Sequence, residues 1–207
     1  MNIFAFGLLT LLSTSYVFGQ YKAEEFEAAL LQAKYGAMLV YNGQKNSFSL
    51  KFISKSVEPT DQPNIIKVDN LLIQTSITPF TQKLDFENLD DETQKKLLTD
   101  WKKYEKDWIE EQLKIKVKEK EEIIKIENRL FLYWTYDMPK DKDKNSVDKQ
   151  VYLVSICFDQ MLILSGPVEK RKSESILKDK LVGIAKTLNV IPGQVQDINK
   201  LYKELMK

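Results

Sequence analysis

The sequence predicts an α+β domain: a mostly antiparallel β-sheet flanked by helices, preceded by an N-terminal signal peptide. Three observations carry this expectation. Several apolar runs alternate with a period of two and are joined by tight turns, which is the signature of antiparallel strands. Two later segments switch to the 3.6-residue period of amphipathic helices. The first nineteen residues contain no charged side chain, and a polar chain follows them.

Residues 3–19 read IFAFGLLTLLSTSYVFG. The run is shorter than the roughly 20 residues that span a bilayer comfortably, and Val17 and Gly19 are small enough for a signal peptidase site. The expected cut lies between Gly19 and Gln20, which leaves residues 20–207 as a single α+β domain with no stable membrane span. Its core is expected over residues 38–189, with a helical appendage over 193–207. One unpaired cysteine and no Asn-x-Ser/Thr acceptor fit a periplasmic or secreted bacterial protein.

Each element has its own signal. Phe26, Ala29, Leu30, Ala33 and Ala37, with Glu24, Glu25 and Glu27 leading, predict a first helix over residues 23–37. Residues 38–41 and 47–55 flank the turn Asn42-Gly43 and predict a hairpin. Pro59, Asp61 and Pro63 place a loop over 57–64, and residues 65–68 and 71–77 predict two further strands ended by Pro79. Over residues 90–113 the spacing of Leu97, Trp101, Tyr104 and Trp108 predicts a long helix, with Lys95, Lys102, Lys106 and Glu110 facing away and Asp90 or Asp91 as cap. The Lys/Glu run over 114–122 reads as a guarded edge. Leu130, Leu132, Trp134 and Tyr136 then share one strand face, leaving Phe131 and Tyr133 on the other. Residues 140–149 predict a solvated loop, residues 151–158 and 161–164 a hairpin turning at Asp159-Gln160 and ended by Gly166-Pro167. A helix capped by Ser173 and a short one over 197–206 close the chain.

The long helix holding Trp101 and Trp108, the strands IIKIENRLFLYWTYDMP and KQVYLVSICFDQMLILSGPV, and the closing helix give an order that resembles the PsbP-like α-β-α sandwich. That family includes a photosystem extrinsic protein, a nuclear-import factor that binds a small GTPase, and bacterial envelope and secretion-adaptor proteins. The resemblance spans about residues 38–189 and implies binding and assembly rather than catalysis.

Composition narrows the chemistry. With 31 basic and 30 acidic residues the net charge is +1, so no overall field favours nucleic acid. The absence of histidine removes the commonest general base and zinc ligand. The single cysteine, Cys157, lies inside an apolar strand without a neighbouring base. No catalytic, cofactor-binding or metal-binding residue is expected, and no cofactor. The Trp101, Tyr104 and Trp108 stripe reads as core, and Phe131 with Tyr133 reads as an exposed binding surface for a protein partner or small ligand. The competing reading is a hydrolase acting on cell-wall or extracellular polysaccharide through paired carboxylates, for which Asp137 and Asp159 at strand ends are the candidates.

Overall fold

The computed structural model describes residues 21–83, 85, 86, 88–139 and 147–207. Residues 1–19, expected to be a signal peptide, the following Gln20, and residues 140–146 of the expected solvated loop lie outside them. The described chain is a mixed α+β domain of the general α-β-α sandwich type, with antiparallel sheets flanked by helices. Among the described residues no helix is long and apolar enough to cross a membrane.

Two sheets form. The four-stranded sheet has the order β1 (Glu27–Ala33), β2 (Gly36–Asn42), β3 (Ser47–Ile53), β11 (Asn189–Ile191). The seven-stranded sheet runs β4 (Val57–Pro59), β5 (Ile65–Val68), β6 (Leu71–Pro79), β10 (Gln160–Glu169), β9 (Val147–Cys157), β8 (Arg129–Asp137), β7 (Glu119–Ile126). Local hairpins build most of the pairings. β6 and β10 pair across a long separation, Gln160 opposite Pro79 through Ser165 opposite Gln74.

Strand alternation sorts the apolar residues into three layers. Leu39, Tyr41, Phe48, Leu50 and Phe52 of the first sheet face Phe131, Leu153, Leu162 and Leu164 of the second. Helix α2 (Glu174–Ala185) wedges Leu177, Leu181 and Ile184 into this layer. The opposite face of the seven-stranded sheet carries Leu132, Trp134, Tyr136, Val154 and Ile163, covered by α1 (Asp91–Leu113) through Leu98 and Ile109. The outer face of the four-stranded sheet, with Leu31, Met38 and Val40, is covered by Ile198, Leu201 and Leu205 of α3 (Ile198–Leu205).

The caps follow the sequence. Asp90 Oδ1 accepts from the Thr93 backbone N–H at 2.6 Å, and Ser173 Oγ accepts from Ser175 N. Several expectations need correction: residues 57–59, expected in a loop, form β4 and pair with β5, and residues 147–149, expected in the solvated loop, open β9. Residues 27–33 are the edge strand β1, not part of a helix: they pair with β2 from Glu27 opposite Asn42 to Ala33 opposite Gly36. Gly166-Pro167 does not end a strand, since β10 continues to Glu169. Pairing with β6 stops at Ser165, so past it only β9 flanks β10 and a residue without an N–H is tolerated. Gly166 is needed there, because a Cβ would lie 2.5 Å from the Leu72 carbonyl oxygen. The aromatic stripe of α1 needs correction too. Tyr104 is 73% and Trp108 50% exposed, and only Trp101 packs inward.

The inward face of α1 is partly ionic. Glu119 accepts from Lys106 Nζ at 2.8 Å and from Trp134 Nε1 at 2.8 Å, with Lys102 Nζ at 3.5 Å. Lys102 also reaches Glu121. Partial burial raises the Glu119 pKa, but the hydrogen bonds from Lys106 and Trp134 and the lysine charges outweigh it, so the net shift is downward. Glu174 is also held low, first by Lys149 and against an opposing burial effect. A carboxylate with a depressed folded-state pKa contributes stability above its unfolded value of about 4.3 and loses it as pH falls through the folded value. Melting temperature is therefore expected to drop steeply as pH falls below the unfolded carboxylate range. In Glu119→Gln that slope should be shallower, and equal slopes in both proteins would remove Glu119 from this role.

Candidate functional site

The wedge of α2 fills the inter-sheet layer over β9 and β10. On the other flank, between β1–β2 and β5–β6, the sheets stand apart and leave a cleft of about 1060 Å³. Its apolar walls come from Phe26, Ala28, Leu30 and Leu39 on one side and Ile66 and Ile77 on the other. The volume sits at the top of the range of roughly 300–1,000 Å³ typical of ligand pockets. On its floor burial pushes the Tyr41 hydroxyl up to about 12.

Residues 21–26 cross the mouth as a strap. Its anchor is Asp159, which is only 6% exposed. The Asp159 carboxylate accepts from Tyr21 Oη at 2.8 Å and from the Glu24 backbone N–H at 2.6 Å, and its carbonyl accepts from Phe80 N at 2.9 Å. Gln160 Nε2 donates to the Glu24 carbonyl at 2.8 Å. The Glu24 carboxylate in turn accepts from Lys45 N at 2.6 Å, Asn46 N at 3.1 Å and Asn46 Nδ2 at 2.6 Å, capping the β2–β3 turn. This approach requires Gly43, where a Cβ would lie 2.2 Å from Glu24 Oε1. Burial first, and then the Asp159 carboxylate, push the Tyr21 hydroxyl up to about 12.

Phe26 ends the strap and enters the core beside Phe48 at 5.2 Å and Phe158 at 6.2 Å between ring centroids. Phe158 occupies the left-handed region at φ 54°, uncommon for a bulky side chain. Its place in the two-residue β9–β10 turn sets Asp159 beneath the strap. A second hollow of about 560 Å³ adjoins the first, bounded by Tyr21, Lys45, Asp85, Phe86, Phe158 and Asp159.

The residues singled out from sequence fall elsewhere. Phe131 and Tyr133, expected on an exposed surface, are 1% and 5% exposed. They face the inter-sheet layer because α2 covers that side of β8, and Tyr133 Oη donates to Glu174 at 2.9 Å while Lys178 Nζ lies 4.2 Å from its ring centroid. Asp137 and Asp159 do not converge. Asp137 pairs opposite Lys149 near the start of β9, whereas Asp159 follows Cys157 at its end. Eight residues of strand separate these ends by roughly 26 Å, far beyond the roughly 5–9.5 Å between a glycosidase's two carboxyl groups. Cys157 is fully buried, and burial pushes its thiol up to about 11 despite the opposing Arg129 charge. Among the described residues no group of three or more Cys, Asp or Glu side chains could hold a metal ion.

The sequence reading missed the strap and cleft because it assigned residues 23–37 to a helix. The available signal was Gly36, a turn-forming glycine inside that expected helix, which takes φ 131° where β1 turns into β2. The geometry defines a two-sheet sandwich with an apolar, strapped inter-sheet cleft. No protein-family model, curated protein or solved structure matches the chain.

Proposed function

We propose that this is an exported, non-enzymatic binding protein, processed between Gly19 and Gln20, that takes a small ligand in the cleft between its sheets. The observation that carries the reading is the cleft itself: about 1060 Å³, walled by apolar residues of both sheets, with polar groups gathered at its mouth. The fold supports it, since a sandwich wedged on one flank leaves an opening on the other. The PsbP-like resemblance supports it too, through the succession of α1, β7 to β10 and α2. Export is supported by the uncharged apolar run ahead of a polar chain.

The test uses N-phenyl-1-naphthylamine, a neutral apolar dye that fluoresces when it leaves water. Protein recovered from the periplasmic or extracellular fraction of its host, with Gln20 as its first residue, is expected to bind the dye saturably at one site. Ala28→Trp, which fills the cleft from β1, should weaken that binding about tenfold or more. Unsaturable binding, or equal binding by the variant, would rule out the cleft; an intact Met1 chain in the cytosol would rule out export.

A further inference from the structure

Charge is distributed very unevenly along the cleft. Among the described residues, all of its lysine and glutamate side chains lie between Lys22 and Glu27, at the strap end. From Ala28 onward the described lining residues are uncharged, with apolar Leu30, Leu39, Ile66 and Ile77 interspersed with neutral polar groups such as Gln62 and Asn64. A ligand that fills the cleft therefore meets an uncharged wall, apolar over much of its surface with neutral polar groups between, and full charges only from the described residues of the strap and the start of β1.

The charge at that end is negative. Lys22 stands against Glu24, Glu25 and Glu27 in the lining, and Lys22 Nζ is already paired with Glu25 Oε1 at 2.8 Å. Asp159 lies directly beneath the strap, and Asp85 borders the adjoining hollow, where Lys45 is the only further cation among the described residues. Glu27 is exposed and has no ion pair among the described residues. An anionic group brought to this mouth meets like charge, while a cationic one meets carboxylates that retain free acceptor positions.

We propose that the cleft selects amphiphiles with an extended apolar body and a cationic head, the body lying between the sheets and the head resting at the strap against Glu25 and Glu27. The assignment rests on the cleft being the binding site, and it adds the chemical class of what enters. Fatty acids and other anionic amphiphiles of the same chain length are discriminated against at the mouth, not within the apolar wall. Because the head sits at a solvent-exposed rim, the selectivity is moderate and depends on salt.

Displacement of N-phenyl-1-naphthylamine by three twelve-carbon amphiphiles, each below its micelle concentration, tests this. The probes are dodecyltrimethylammonium, neutral dodecyl maltoside and dodecanoate. At low salt the cationic probe is expected to bind about tenfold more tightly than the anionic one, with the neutral probe between them. The gap should shrink when salt shortens the screening length to about 3 Å. The double variant Glu25→Gln, Glu27→Gln should close the gap and leave dodecyl maltoside affinity unchanged. Equal affinities for the cationic and anionic probes, tighter binding of dodecanoate, or a gap that survives the double variant would each overturn the assignment. Those results leave saturable dye binding intact, so the cleft reading stands or falls separately, on the dye and Ala28→Trp.

Discussion

Trp134→Ala is expected to lower the stability of the protein by about 3–5 kcal/mol, the range for truncating a fully buried large aromatic. Trp134 has no exposed surface. Its ring stacks on Tyr152 at 4.9 Å, lies 5.3 Å from Tyr136, and meets Trp101 edge-on at 6.2 Å. Its Nε1–H donates to Glu119, so the side chain joins the apolar packing under α1 to the ionic contacts between α1 and β7. Against a typical total of about 5–15 kcal/mol, this loss is a large share of the stability. Urea unfolding should show a lower midpoint with an unchanged slope. Trp134→Phe keeps a ring but removes the donor and should cost about 1–3 kcal/mol, which separates the hydrogen bond from the packing. A shift below about 1 kcal/mol for the alanine variant would mean that the α1 layer contributes little.

The second large effect concerns the strap. Asp159→Ala removes the acceptor for both Tyr21 Oη and the Glu24 backbone N–H. Hydrogen bonds to charged groups contribute about 1.5–3 kcal/mol each, though two on one carboxylate are not additive. The expected loss is about 2–4 kcal/mol, felt locally rather than through the whole sandwich. Hydrogen exchange should therefore accelerate at Glu24 and Phe26 while the amides of β9 and β10 keep their protection. Dye entry into the cleft should become faster. Uniform acceleration across all strands would show instead that Asp159 supports the fold as a whole.

Much of the architecture was legible because one period dominated. Along β8, Leu130, Leu132, Trp134 and Tyr136 share one face, as the alternation predicts, and α1 covers it. The faces of α1 were harder to read. Lys102 and Lys106 turn inward to Glu119, and Glu110 is buried while accepting from Val117 N. With ions occupying inner positions, the apolar pattern alone puts the core face one step away, at Tyr104 and Trp108. β1 was misread for a different reason. Both of its faces are covered, one by the inter-sheet layer and one by α3, so its alternation is blurred, and EAALLQA is rich in helix formers. Tertiary pairing with β2 overrides that propensity. Phe131 and Tyr133 could not be placed because sequence does not say which strand face the final helix will cover. The cleft was illegible for a related reason: it is a gap between elements distant in sequence, and no local pattern encodes a gap.

The β6–β10 pairing has a kinetic consequence. β4 to β6 can assemble by local hairpins, and so can β7 to β10. Joining the two halves requires one register to form across the long stretch from Pro79 to Gln160 that contains α1. Closing such a loop costs entropy before any contact repays it, so this step sets the pace of refolding. Until it is complete, β6 and β10 each present an unpaired edge. During that interval the chain is open to pairing with another copy of itself.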